Sequence, residues 1–241
     1  MFVAVGGSSP TNAVLHAPVL PASPDPALTV PTPIPLEANG ASTWAVVRRT
    51  VFAREQPSPG ADVVARLDAR TPEDTSNIVL VLRRGRDAAG RLWVHVRLPV
   101  LPNDRTGWIP REALGGYNVV RTRLVVALRQ LTVTLLRDQQ PIFRARVGIG
   151  REEWPTPTGH FYIRNKLTGF DNPFYGPVAF GTSARSPVLT DWPDGGFIGI
   201  HGTNRPELLP GRVSHGCIRL RNSDILALAR LMPVGTPVTI L

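Results

Sequence analysis

The sequence predicts a mainly β protein in three parts: a proline-rich tail over residues 1–40, a small β-barrel over 41–116, and a larger β-rich domain over 119–241 with one docked helix. Three observations carry this expectation. Short aliphatic and β-branched runs recur from Thr43 onward, separated by Pro, Gly and Asp turn signals. Prolines crowd the first 40 residues. Only one stretch, close to the C-terminus, combines helix start signals, an apolar face and a stop.

The tail holds Pro10, Pro18, Pro21, Pro24, Pro26, Pro31, Pro33 and Pro35, and its only charges are Asp25 and Glu37. Prolines at this spacing deny the backbone the donors that helices and ladders need, so an extended, flexible spacer is expected. The barrel follows from Trp44–Val47, Val63–Leu67, Ile78–Leu82 and Leu92–Leu98, with turns at Pro57-Ser58-Pro59-Gly60 and Asp87-Ala88-Ala89-Gly90. Trp93-Val94-His95-Val96 alternates with the strand period, and Gly107-Trp108-Ile109-Pro110 closes the set. About five strands are expected there. In the third part, 124–128, 131–136, 142–147, 161–163, 178–180 and 197–200 read as strands, with a turn at 137–141 between the second and third. The helix is expected to be capped by Asn222 or Ser223, with Asp224 in its first turn and Ile225, Leu226, Ala229 and Leu231 on its apolar face. Met232-Pro233-Val234-Gly235 stops it, and 237–241 forms a last strand.

The chain of 241 residues carries a formal charge of +9, and Lys166 is its only lysine. A basic surface suits an anionic partner such as a wall polymer, whereas no dense arginine run or recognition-helix pattern points to nucleic acid. The single cysteine excludes an intramolecular disulfide. No run approaches the roughly 18 apolar residues needed to span a bilayer. The start, Met1–Gly7, lacks the basic region of a signal peptide. Either the protein is cytosolic or this chain begins after an export segment.

That one cysteine sits in Ser214-His215-Gly216-Cys217, and a second histidine, His201, precedes it in the chain. A thiol with an imidazole beside it is a recipe for nucleophilic catalysis: the ring takes the thiol proton and later returns it to a leaving amine. On a strand, His215, Cys217 and Arg219 would share one face. Gly216 lets substrate approach the backbone, and its N–H, with that of Cys217, could point at a developing oxyanion. Arg219 could hold a substrate carboxylate. His201 ends the apolar run Phe197-Ile198-Gly199-Ile200 and is either the base beside Cys217 or a core histidine. His95 and His160 read as structural, and His16 lies in the tail. A zinc site built from two His and one Cys is the competing reading. It lacks a His-Glu-x-x-His helix, a Cys-x-x-Cys pair and any carboxylate between Gly211 and Asn222.

His201-Gly202-Thr203-Asn204 followed by Ser214-His215-Gly216-Cys217-Ile218-Arg219-Leu220 resembles the signature of the YkuD-type L,D-transpeptidase catalytic domain. Trp154-Pro155-Thr156-Pro157-Thr158-Gly159 and the ending at 234–240 resemble other parts of that family. The 41–116 segment is similar, in its Trp-bearing strand and Gly-Trp-Ile strand, to a bacterial SH3-like domain, whose role would be binding or spacing.

The first resemblance implies a peptidoglycan cysteine acyltransferase that needs neither cofactor nor metal. Cys217 would attack the carbonyl before the terminal D-alanine of a donor tetrapeptide stem. His201 would act as base and acid, oriented by a carbonyl near Gly202, while His215 shapes the site and Gly216 serves the oxyanion. Arg219, Ser214, Thr203 and Tyr175 would contact substrate. Some members of the family carry Asn where Arg219 stands. Transfer to the side-chain amine of a diamino acid on an acceptor stem makes a 3→3 cross-link. Water as acceptor would give an L,D-carboxypeptidase, and the third possibility is a non-catalytic wall-binding protein. The resemblance further implies inhibition by carbapenems, a part in wall biogenesis and cell shape, and an extracytoplasmic location inferred from the substrate. The loop between 166 and 196, with Phe170, Phe174, Tyr175, Gly176 and Trp192, is expected to line or cover the cleft.

Overall fold

The computed structural model describes residues 34–35, 40–169, 173–189 and 196–241. The tail expected over 1–40 lies outside them apart from Ile34–Pro35 and Gly40, as do Phe170 and Trp192.

The first sheet is built from β1 (Ile34–Pro35), β2 (Ser42–Val47), β3 (Val51–Arg54), β4 (Val63–Leu67), β5 (Ile78–Arg86), β6 (Leu92–Arg97), β7 (Thr106–Pro110) and β8 (Leu114–Val120). Its pairing order is β4-β3-β7-β6-β5-β2-β8, with β1 alongside β5. The two residues of β1 fall within the stretch expected to be a spacer, yet they pair with Arg84 and Arg83. β6 and β7 pair antiparallel so that His95 faces Trp108 across the ladder, and their rings stack at 4.8 Å. His95 is therefore a packing residue. Inward-facing Ala45, Val47, Val79, Val81, Val94, Val96 and Ile109 form the core of this sheet. β3 and β8 were not expected from the sequence.

The second sheet follows with a single intervening residue, Arg121. Its strands are β9 (Thr122–Ala127), β10 (Thr132–Arg137), β11 (Gln140–Arg146), β12 (Gly148–Gly150), β13 (Gly159–Thr168), β14 (Val178–Arg185), β15 (Phe197–His201), β16 (Gly211–Ser214), β17 (Ile218–Arg219) and β18 (Pro237–Ile240). The order is β11-β10-β9-β18-β13-β14-β15-β17-β12-β16. The β10–β11 hairpin turns on Asp138 and Gln139, both at positive φ, as the twist of a two-residue hairpin requires. Helix α1 (Asn222–Leu231) packs on this sheet through Ile225 and Leu228.

Two details of the helix differ from expectation. Its N-cap is Arg221, with no side-chain capping bond, because Asn222 Oδ1 instead accepts the Thr203 N–H at 2.9 Å. Leu226 is exposed while Leu228 is buried, so the apolar face is rotated from the one expected. The segment 166–196 is also not one loop, since β14 runs through its middle.

The two sheets share buried material. Ile78 and Leu80 of β5 pack against Tyr162 of β13, flanked by Trp44 and Val46 of β2. The Tyr162 hydroxyl is fully buried and donates to the Ile78 carbonyl at 3.0 Å. Replacing Tyr162 by Phe removes that donor at the cost of about 1 kcal/mol. Thermal unfolding of Tyr162→Phe should show Tm lowered by roughly 2–4 °C. An unchanged Tm would mean that this bond contributes nothing to joining the sheets.

Candidate active site

The site forms where β15 and β17 pair in parallel. Ile200 pairs with Ile218 and His201 with Arg219. Side chains alternate on a strand, so each strand has one buried and one functional face. Ile198, Ile200, Ile218 and Leu220 face the core and are essentially inaccessible. Phe197, His201, Cys217 and Arg219 all line a cleft of about 450 Å³ on the other side, with His215 at its edge. Gly199 lies between the reactive groups. Its N–H donates to Cys217 Sγ at 3.4 Å. A Cβ built on Gly199 would lie 3.6 Å from Cδ2 of His201 and 3.7 Å from Sγ. The ring and the sulfur therefore converge on one point.

The His201 ring is held in one orientation. Its Nδ1 and the Gly202 carbonyl are 2.6 Å apart, which makes Nδ1 the protonated nitrogen and Nε2 the acceptor. Nε2 is buried and has no hydrogen-bond partner among the described residues. Burial pulls the imidazole pKa down to about 4; the Gly202 carbonyl opposes the shift and the Arg219 charge adds to it. Burial likewise pushes the Cys217 thiol up, against the Gly199 N–H and the Arg219 charge, both of which favour thiolate. At neutral pH the pair is thus a thiol and a neutral imidazole. Arg219 is itself buried, with its guanidinium carbon 4.3 Å over the Phe174 ring and its Nε unpartnered. Phe174 and Tyr175, in the 3-10 turn Pro173–Tyr175, form the cleft wall against His201, with ring separations of 5.9 and 5.1 Å.

The strand expected to carry His215, Cys217 and Arg219 on one face is interrupted. The chain bends after Ser214 and resumes at Ile218. Gly216 has φ +114°, a conformation that side-chain-bearing residues rarely adopt. Cys217 and Arg219 keep the shared face. His215 instead swings to an exposed position and packs on Trp154, with ring centroids 4.2 Å apart.

Ser214, expected to contact substrate, is engaged with the backbone of its own turn. It is fully buried, its Oγ donates to the Cys217 carbonyl at 2.6 Å, and it accepts the Gly216 N–H at 3.1 Å. That bond also occupies the donor expected to serve an oxyanion from Gly216. Thr203 is buried as well, and its Oγ1 accepts the Arg205 N–H at 3.1 Å. Both hydroxyls satisfy backbone groups of tight connections rather than face the cleft. Of the residues expected to contact substrate, Arg219 and Tyr175 line the cleft. Gly202 supplies the carbonyl that orients His201.

Three contributors escaped the sequence reading. Thr156 accepts the Gly150 N–H at 2.9 Å and donates to the Gly216 carbonyl at 2.7 Å, tying the Cys217 turn to the next strand. Asn222 fixes the backbone after His201 through Thr203. Gly199 was read only as part of an apolar run. The signal for Thr156 was present in the Pro-Thr-Pro-Thr-Gly stretch, but nothing in one sequence says which threonine turns inward. Among the described residues, no group of three His, Cys, Asp or Glu gathers as a metal site would require.

A raised thiol pKa has a direct readout. Because burial keeps Cys217 protonated, its alkylation by iodoacetamide should be slow at pH 7 and still be climbing above pH 9, the ordinary thiol value. A plateau reached below pH 8 would contradict the neutral pair.

Residues 121–240 match the YkuD family profile, described as the L,D-transpeptidase catalytic domain. Two Bacillus subtilis (strain 168) proteins named as L,D-transpeptidases are among its relatives. YkuD is 34% identical over 117 residues, 48% of this chain and 64% of its own length. YqjB is 37% identical over 102 residues, 39% of this chain and 56% of its own length. The chain thus spans less than two thirds of these curated relatives. Among solved structures, the catalytic domain of an Enterococcus faecium L,D-transpeptidase aligns with 50% of this chain and 96% of its own, at 26% identity and a TM-score of 0.38. The cysteine, the oriented histidine and the strand register that joins them all fall inside the matched stretch, and residues 121–240 are a YkuD-type L,D-transpeptidase catalytic domain.

Proposed function

We propose that this chain forms 3→3 cross-links between peptidoglycan stem peptides through a Cys217 thioester. The observation that carries this reading is the orphaned Nε2 of His201, buried and aimed, by the Nδ1 bond to Gly202, toward the same space as Cys217 Sγ. A buried acceptor without a partner costs stability, and a role in proton transfer accounts for its retention.

The steps follow from those atoms. Nε2 takes the thiol proton as Sγ adds to the carbonyl carbon preceding the terminal D-alanine of the donor stem. The resulting oxyanion meets the Cys217 N–H, with Gly216 contributing the shape of the turn rather than a donor. The tetrahedral centre collapses with cleavage of the C–N bond, and the imidazolium proton goes to the departing amine of D-alanine. The thioester then waits for the side-chain amine of a diamino acid on a second stem. Nε2 takes a proton from that amine as it attacks, the C–S bond breaks, and the thiolate recovers the proton. Arg219, buried at the cleft wall with its Nε unpaired, suits a carboxylate of the substrate. His215, packed on Trp154, borders the same opening.

Such a reaction belongs on the outer side of the membrane, where the wall lies. No helix among the described residues is long and apolar enough to cross a bilayer. The first sheet, with Trp93 and Gly107-Trp108-Ile109 on adjacent strands, keeps the SH3-like reading as part of this proposal, and the basic surface suits an anionic wall polymer.

Three outcomes test the reaction. Cys217→Ala should neither cross-link purified stems nor gain mass with a carbapenem, while wild type gains one adduct on Cys217. An unmodified wild-type protein would sink the thioester route, and release of D-alanine without cross-linked product would make the enzyme a carboxypeptidase. His201→Ala should slow acylation by ~10²–10⁴-fold, and a near-normal rate would return this histidine to the core. The pH dependence follows from the sign of the shift. The base form of His201 persists down to about pH 4, so kcat/KM should hold through pH 5–6, where an ordinary imidazole base would already be protonated, and fall only on further acidification. An acid limb near pH 6.5 would contradict the buried-base assignment.

A further inference from the structure

The cleft wall at Phe197 is contacted through Arg164 and Arg185 by residues of the first sheet's loops. Phe197 lines the cleft beside Cys217 and His201, at the start of the strand that ends in His201. Two guanidinium groups lie over its ring, Arg164 at 3.6 Å and Arg185 at 4.9 Å from the centroid. Arg164 is 2% exposed, and such a charge needs partners. Its Nε donates to the Thr182 carbonyl at 2.9 Å, and one terminal nitrogen meets Glu73 Oε1 at 2.8 Å. Glu73 belongs to the connection between β4 and β5, far from Arg164 in sequence.

The second sheet is irregular at this place. The β13–β14 ladder shifts register between Ile163 and Asn165, and the β14–β15 ladder shifts between Gly181 and Arg185. Register shifts leave backbone groups without strand partners. Here side chains supply them. Asn103, between β6 and β7, receives the Arg185 N–H at 3.0 Å and donates to the Arg185 carbonyl at 2.8 Å, imitating a neighbouring strand. Asn165 Oδ1 accepts the Gly181 N–H at 3.0 Å while its Nδ2 reaches Glu73 at 3.2 Å and Thr75 at 3.1 Å. These contacts end at the Phe197 ring or on β14, which pairs with β15 at Arg185–Phe197 and Gly181–Gly199, and three of the anchors, Glu73, Thr75 and Asn103, come from the first sheet's loops.

The geometry points to Glu73 and Asn103 as positioning residues for the cleft: the first sheet sets substrate affinity by fixing the Phe197 wall through Arg164 and Arg185. The effect on turnover rests on the transpeptidase reading, whereas the bracing itself does not. A wall that moves weakens substrate binding more than it disturbs the thiol and imidazole, which are held at the far end of β15, where Ile200 and His201 pair with β17, and by the Ser214 turn.

Glu73→Gln keeps the size of the side chain and removes its charge, and Asn103→Ala removes both bonds to Arg185 while leaving Arg164 paired. Two measurements on the full chain decide the matter. Hydrogen exchange, which requires no substrate, should quicken by ~10-fold at 181–185 and 197–199 in either variant. In steady-state assays with a donor stem, KM should rise ~5–10-fold with kcat changed by less than ~2-fold. Iodoacetamide labelling of Cys217 should stay within ~2-fold of wild type, and the KM effect of Glu73→Gln should largely vanish in a Phe197→Leu background, since both act on one element. Should Glu73→Gln fail to fold, Asn103→Ala carries the test. Unchanged exchange at both segments overturns the brace. Faster exchange with an unchanged KM, or additive effects with Phe197→Leu, overturns its role in substrate binding and leaves only a structural contact. A wild-type chain that turns over no stem would sink the transpeptidase proposal, and the exchange measurement would still decide the brace.

Discussion

The parallel register between β15 and β17 is the constraint on which the site depends. With Ile200 opposite Ile218, both isoleucines are committed to the core, and His201, Cys217 and Arg219 are thereby committed to the other side. A slip of one residue would turn the imidazole and the sulfur into the hydrophobic core and the isoleucines into the cleft. The hydrophobic effect that drives the isoleucines inward is therefore also what brings the thiol and the imidazole to one face. Parallel pairing further requires the chain to return to the same end of the sheet, and it does so through β16, which pairs with β12 on the far edge. The turn at 215–217, which carries Cys217, is a by-product of that return.

Burial and charge act together on the thiol–imidazole pair. Taking the ring out of water lowers its pKa to about 4, and the same burial raises the thiol. Arg219 favours thiolate but disfavours imidazolium, so it does not help the ion pair as a whole. The attraction between a thiolate and an imidazolium is on the order of 4 kcal/mol at 4 Å for a partly screened site. Each pKa unit separating the groups costs about 1.4 kcal/mol. With the imidazole pulled down to about 4 and the thiol pushed up by burial, the attraction does not close the gap, and the resting pair is neutral. In the proposed reaction, proton transfer then accompanies attack rather than preceding it. A neutral thiol is also a poor target for stray electrophiles, which suits an enzyme whose only cysteine faces an open cleft.

Much of this was legible in the chain. The alternation of Phe197-Ile198-Gly199-Ile200-His201 carries its own face assignment, and the spacing of Cys217 and Arg219 carries theirs. The chemistry proposed for the pair was suggested by residue types alone. What could not be read was set by distant partners. The bend after Ser214 depends on a hydroxyl that looks, in sequence, as fit for substrate as for backbone. The Thr203 hydroxyl is as ambiguous in sequence and holds a loop N–H in the fold, and Asn222 was misread as a cap because its side chain satisfies a loop N–H rather than its own helix. The short strands β12, β16 and β17 are too brief to show a period, and β3 and β8 lack strong apolar runs. Glu73 and Asn103 give no local signal at all, since polar residues in loops are ordinary and only the folded chain shows what they reach.

That last group bears on why the first sheet is joined so tightly to the second. A binding or spacing module needs only a tether, and a tether tolerates an exposed linker. Here one residue separates β8 from β9, the Tyr162 hydroxyl is buried against Ile78, and side chains of one sheet complete the irregular ladders of the other. Irregular ladders are costly unless completed, because unpaired backbone groups lose their hydrogen bonds to water on burial. The second sheet has accepted such breaks at 163–165 and 181–185, where the Arg164 and Arg185 guanidinium groups lie over Phe197. The breaks shape the wall, and the first sheet makes them tolerable. On this view the cleft is a property of both sheets, although every residue of the proposed chemistry lies in one.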